Sequence, residues 1–218
     1  MEVHSAEQRI LALLVMLGRR APRSRVAGEL WPEQDQARAL SNLRSAIWRM
    51  PEMARNVIGR CGASMTLLDS LAVDLDEAAD VARRLHSPST STAAMTIDRE
   101  LLMNDLLPSF DEPWLVVPRE QHRQRRLHAL ETLALDDLEG GRPRDAVDTA
   151  LAAVAAEPLR ESAQLLLVRA HLAAGNRAAA RGQFQRFRLL LAAELQVEPS
   201  AAMTTLIEKS DPAPANSV

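Results

Sequence analysis

Residues 9–50 read RILALLVMLGRRAPRSRVAGELWPEQDQARALSNLRSAIWRM, and three helical patterns follow one another within them. The first carries Ile10, Leu11, Leu13, Leu14 and Leu17 and stops at Gly18, with Ser5-Ala6-Glu7-Gln8 before it as N-cap and capping box. The second is short. Ser24 is its expected cap, Val26, Ala27, Leu30 and Trp31 are its apolar positions, and Pro32 ends it. The third covers residues 36–50, with Leu40, Leu43, Ile47 and Met50 three or four apart and Pro51 beyond. Two apolar runs then follow, Asn56–Ile58 and Met65–Leu68, around Gly59-Arg60-Cys61-Gly62. That is the pattern of a small β-hairpin with a basic, glycine-bearing tip. Three helices and a hairpin in this order make a winged helix-turn-helix.

The third helix divides into two faces. Leu40, Leu43, Ile47 and Met50 share one side, and Arg38, Ser41, Asn42, Ser45 and Arg49 share the other, flanked by Arg44 and Trp48. A helix that enters the major groove needs this division. Arginine bonds a guanine edge through two donors, asparagine does the same for adenine, and serine adapts to either edge or to phosphate. An ordinary solvated helix face has the same composition, so residue types alone leave both readings open.

The remainder is helical. Leu75–Leu85 is amphipathic, residues 86–96 (HSPSTSTAAMT) form a Ser/Thr-rich linker, and Arg99–Leu107 is a short helix ended by Pro108. Trp114 to Leu138 is a long helical stretch interrupted near Pro118, with Trp114 as its core anchor. Arg119, Arg123, Arg125 and Arg126 cluster there with His122 and His128 and read as a solvated face, an interdomain or DNA-backbone contact being the alternative. Next comes an internal repeat. Gly141 and Gly175 are 34 residues apart, as are Ala146 and Ala180, and Leu133 and Leu167. This is the period of tetratricopeptide helix pairs, in which the glycine turns the chain and the alanine lets two helices approach. The second unit is degenerate, with Phe187 for Ala153 and Ala192 for Pro158, and Phe184 is its large packing residue. Residues 211–218 read as a disordered tail.

Bulk properties narrow the function classes. Hydrophobic residues are 47% and charged residues 25%, which speaks against broad disorder. The net charge of −3 is unevenly spread: residues 1–73 hold ten Arg against seven acids, and residues 74–218 hold 16 basic groups against 22 acids. Such asymmetry suits a chain in which one domain meets phosphate. Cys61 is the single cysteine, which rules out an internal disulfide, and a lone cysteine is more often a small hydrophobe than a redox switch. Neither a signal peptide nor a membrane span is expected, which places the protein in the cytoplasm. No phosphate-binding glycine loop, metal-ligand spacing or nucleophile motif is present, so enzyme activity, cofactor and metal are not expected.

The residues just quoted carry a resemblance. Leu11, Leu13, Leu14, Arg25, Leu30-Trp31-Pro32, Ala39-Leu40, Leu43 and Arg49 resemble the DNA-binding segment of the Streptomyces antibiotic regulatory proteins. The second half is similar to their bacterial transcriptional activator domain. It matches at Leu107-Pro108, Trp114, Arg119-Glu120, Leu127, Glu157-Pro158-Leu159-Arg160-Glu161, Gly175 and the closing 194–200 (ELQVEPS). The family places a β-platform before the first helix. About seven residues precede it here, so that platform is expected to be missing.

The resemblance implies an OmpR-like winged helix over residues 1–73 and an all-α, tetratricopeptide-like activator domain over 74–210. It implies binding of double-stranded promoter DNA, with homodimers or tandem copies on repeated sites of a biosynthetic gene cluster. Arg38, Asn42, Ser45 and Arg49 would then read bases, with Ser41 a further DNA contact on the same side. Arg23, Arg25 and Arg44 would hold phosphate, and Arg60 on the wing would lie along the minor groove or the backbone. Glu33 and Asp35, in the loop before the third helix, would face the sigma subunit of RNA polymerase, although Asp35 is equally placed to cap that helix. A helical-repeat interaction protein with a vestigial winged helix is the alternative.

Overall fold

The computed structural model describes residues 6–85 and 99–210. Ser5, the linker around residues 86–96 and the tail 211–218 lie outside the described residues. The chain divides into two compact units: the described part of Met1–Asp74 together with Leu106–Gln121, and the described part of Leu75–Asp105 with His122–Val218.

In the first unit the order is α1 (Ala6–Met16), β1 (Arg20–Pro22), α2 (Arg23–Leu30), α3 (Gln36–Arg49), α4 (Glu52–Asn56), β2 (Ile58–Cys61) and β3 (Ser64–Leu67). The three strands form an antiparallel sheet in the order β1-β3-β2, and among the described residues no strand precedes α1. Alternation fixes the buried side of the sheet: Ala21, Met65 and Leu67 turn inward. They join Ile10, Leu13 and Leu14 of α1, Val26, Ala27 and Leu30 of α2, and Leu43 of α3 in one core.

Two local expectations for this unit are corrected. Ser24 does not cap α2; the helix starts at Arg23, two residues earlier than a Ser24 cap would set it, behind Pro22, whose fixed φ of −58° suits the junction, and no side chain caps it. The hairpin is longer than its apolar residues suggested. Cys61 pairs with Ser64 and Arg60 with Met65, so Arg60 and Cys61 belong to β2 and only Gly62-Ala63 turn. Gly62 takes a φ of +59°, which the tight two-residue connection demands.

Leu106–Gln121 supplies the last pieces of this unit. Trp114 packs on its core, as an anchor should, and the indole Nε1 donates to Glu112 Oε2 at 3.0 Å. Arg9 Nη2 donates to the same carboxylate at 2.9 Å and to the Leu30 carbonyl, closing the end of α2, at 3.0 Å.

The second unit contains α5 (Asp74–Leu85), most of α6 (Val116–Glu139), α7 (Pro143–Ala156), α8 (Glu161–Ala173), α9 (Arg177–Glu194) and α10 (Ala201–Ser210). The expected helix at Arg99–Leu107 is only a 3-10 turn over Arg99–Leu102. Pro118 does not interrupt α6: it lies in the first turn, where a backbone N–H has no intrahelical acceptor to lose.

The 34-residue repeat is visible bond by bond. Gly141 N–H donates to the Leu138 carbonyl and Arg142 to Asp137; Gly175 donates to Leu172 and Asn176 to His171. Both glycines are left-handed, φ +69° and +78°, which closes each helix in the same way. Ala146, Ala180, Leu133 and Leu167 are all buried. Pro158 follows the end of the 14-residue α7; with Ala192 at the equivalent place, α9 continues to 18 residues.

Candidate nucleic-acid interface

Helix α3 begins at a true cap. Asp35 is extended and its Oδ1 accepts from the Arg38 amide at 3.0 Å, satisfying one of the free donors of the first turn. Its buried side is Ala39, Leu43 and Ala46, continued by Met50, while Leu40 and Ile47 are only half-buried. The expected stripe is therefore turned. Two alanines allow the helix to sit close on its domain, and they take the central positions assigned to larger residues.

That rotation sets the outer face. Arg38, Ser41, Arg44, Ser45 and Arg49 are exposed, Asn42 is half-buried on the shoulder, and Trp48 is 78% exposed. The helix carries no acid, and among the described residues no carboxylate pairs with Arg38, Arg44 or Arg49. From the sequence alone Trp48 reads only as a flank of this face. Counting Ala39 and Ala46 as core positions is the signal that would have placed it outside.

A second group of arginines converges beside this face. Strand β1 passes directly into α2, and the Arg23 amide donates to the Ala63 carbonyl in the hairpin turn at 3.1 Å. The hairpin is thereby held to the head of α2. Arg23 of α2, Arg44 of α3 and Arg60 of β2 line one cavity of about 500 Å³ with Pro22, Ser24, Leu40 and Ala63. Burial, and then the charges of Arg60 and Arg44, push the Arg23 guanidinium below its ordinary value. Three cations from three elements thus crowd in a cavity that no carboxylate lines among the described residues, and an anion entering it would relieve them. Arg25 is exposed on α2 and does not line it.

In the loop Trp31–Asp35, Asp35 is occupied as the cap of α3 and Glu33 is exposed. Cys61 is a free, exposed thiol on β2.

The basic cluster of α6 is not a uniformly solvated face. Arg119 donates to the carbonyls of Leu106, Leu107 and Phe110, around a Leu107 held at φ +46°. Arg123 pairs with Glu157, and the buried Arg126 pairs with Asp105 at 2.7 Å. His122 meets the Asn104 carbonyl at 3.2 Å. Arg125 and His128 alone of the six are exposed.

Comparison with known proteins agrees with this architecture. Residues 70–209 match the bacterial transcriptional activator domain. The chain is similar to the regulatory protein AfsR of Streptomyces coelicolor, 31% identical over 96% of this chain, and to AfsR of Streptomyces griseus, 29% identical over 94%. In both cases it spans only 22% of the relative's length. Its fold is that of EmbR of Mycobacterium tuberculosis, solved in complex with a low affinity phosphopeptide. The TM-score is 0.68 at 18% identity, over 97% of this chain and 62% of that one. No helix among the described residues is long and apolar enough to cross a membrane. With a matching domain over more than half its length and relatives along nearly all of it, the chain belongs to the bacterial transcriptional activator domain family of regulators, the Streptomyces antibiotic regulatory proteins.

Proposed function

We propose that this protein binds double-stranded promoter DNA in the cytoplasm, in a sequence-specific manner, and activates transcription of a biosynthetic gene cluster. The observation that carries the reading is the convergence of Arg23, Arg44 and Arg60 on one cavity with no carboxylate among its lining residues. This is what a backbone phosphate requires: several fixed donors and an unbalanced positive field. Next to it, Arg38, Ser41, Asn42, Ser45 and Arg49 on α3 supply the donors and acceptors that read base edges. Arg25 adds a more distant phosphate contact.

The activator domain arranges homodimers or tandem copies on repeated sites, and Glu33 meets a basic surface of the sigma subunit. Domain limits of 1–73 and 74–210 remain the functional division we propose, with residues 106–121 buttressing the first.

Selection of random duplexes with the purified protein tests the reading. Recovery of a repeated motif is the expected result, and an unenriched pool overturns it. The acidic balance of residues 74–218 favours a second reading, a helical-repeat protein-interaction module whose winged helix holds no DNA. The unenriched pool is the outcome that reading requires.

A further inference from the structure

We infer that Trp48 is a DNA contact, its indole packed on the deoxyribose next to the phosphate held by Arg23, Arg44 and Arg60. The inference rests on the DNA-binding reading above and adds a residue to it.

The starting point is an indole in the wrong place for a stable monomer surface. Trp31 and Trp114 both pack against the core of the first unit, whereas Trp48 stands 78% exposed on the outer face of α3. So large an apolar group gains by being covered. What covers it is decided by its neighbours. Trp48 shares a shallow hollow with Arg44, Ser45 and Arg49, and α3 contributes no acid to it. Arg44 also lines the three-arginine cavity, so one arginine belongs to both hollows. A partner for this surface must bring negative charge to Arg44 and an apolar face immediately beside it.

The sugar–phosphate backbone has that alternation, each phosphate being followed by a deoxyribose whose C–H face is apolar. Arg44 and Trp48 are four residues apart, on one side of the helix and about 6 Å along its axis, close to one sugar–phosphate repeat. The contact is uncharged and does not depend on the base, so it raises affinity for every duplex without releasing a counterion.

Anisotropy titrations of the full chain against the selected duplex and a scrambled one, over a series of salt concentrations, test this. Trp48→Ala is expected to lose about five- to tenfold in affinity on both duplexes, with the slope of log affinity against log salt unchanged. Trp48→Phe keeps most of the affinity. Arg44→Ala lowers the slope by about one. If Trp48→Ala binds both duplexes as the parent does, the indole serves a protein partner and the inference falls. Loss confined to one base position also overturns it, because the ring then reads a base. If the parent protein binds no duplex, the DNA-binding reading fails as well; parent binding with an indifferent Trp48→Ala removes this inference alone.

Discussion

Arg99 holds Asp137 through two parallel hydrogen bonds, Nη1 to Oδ2 at 2.8 Å and Nη2 to Oδ1 at 2.9 Å, in a carboxylate only 1% exposed. Arg142 reaches Oδ1 as well, at 3.0 Å. Burial alone would raise the Asp137 carboxyl, but the hydrogen bonds and charges of Arg99 and Arg142 outweigh it and hold the group below the usual carboxylate range. A depressed acid stabilises the fold above its unfolded value, and that stability is lost as pH falls through the folded one. His122 acts in the same direction at higher pH. Burial, helped by Arg126 against the pull of the Asn104 carbonyl, lowers its imidazole, so its contribution fades as pH falls below about 6.5. Melting temperatures between about pH 7 and pH 3 should therefore decline in two stages. Asp137→Asn should cost about 3 kcal/mol at neutral pH and flatten the lower stage. Glu131, which burial would raise but Arg160 and Ser162 hold down, leaves a residue of that stage. A variant that keeps the parent's full acid slope would deny Asp137 this role.

The repeat makes its own prediction. Ala146 and Ala180 have no exposed surface, so Ala→Leu at either should overpack the helix crossing and cost about 1–3 kcal/mol. Ala178 is exposed and should tolerate the change, while Ala179, half-buried, should fall between. Denaturant midpoints rank the four, and a flat series would refute the close crossings.

Backbone conformation predicts opposite signs at two glycines. Gly175→Ala meets open space but must keep φ +78°, costing about 1 kcal/mol. Gly28 lies inside α2 with open space around it and no unusual φ, so Gly28→Ala should stabilise by about 0.5–1 kcal/mol. Thermal denaturation of the two variants should show shifts in opposite directions.

On α3, Arg38→Ala, Asn42→Ala and Arg49→Ala should each weaken binding of the selected duplex by about 1–3 kcal/mol and relax preference at one base pair. Gel shifts on single-position variants of the site read this out. An Arg38/Arg49 double variant with parental affinity would remove α3 from the reading role.

Glu33 tests the polymerase contact more cleanly than Asp35, whose carboxylate is engaged in capping α3. Glu33→Lys should leave promoter binding intact or slightly tighter and lower transcription in a reconstituted assay. Transcription at the parental level would end the proposal, and loss of both activities would mark a folding defect.

What was legible in the sequence follows the strength of each physical signal. Helix stops at Gly18, Pro32 and Pro51 and the 34-residue repeat are local chemistry, and the structure places helix ends and turns where those residues require them. The outer face of α3 was nearly legible; alanine gave too weak a hydrophobic signal to show that Ala39 and Ala46 face the core. The arginine cavity was not legible as a unit. Arg23, Arg44 and Arg60 were each singled out, but their convergence depends on the bond between the Arg23 amide and the Ala63 carbonyl, which no periodicity announces. The same is true of α6, where Arg119 and Arg126 find partners through tertiary folding.

Glu112 and Trp114 leave the ribosome well after the residues of α3. Until they do, Arg9 lacks its carboxylate and the indole has not reached the core formed by α1, α2 and the sheet. The N-terminal unit is therefore finished by a later part of the polypeptide. A nascent chain halted at Asp74 would carry the whole of α3 on an incomplete body, so the support beneath that helix is complete only after translation has passed into α6.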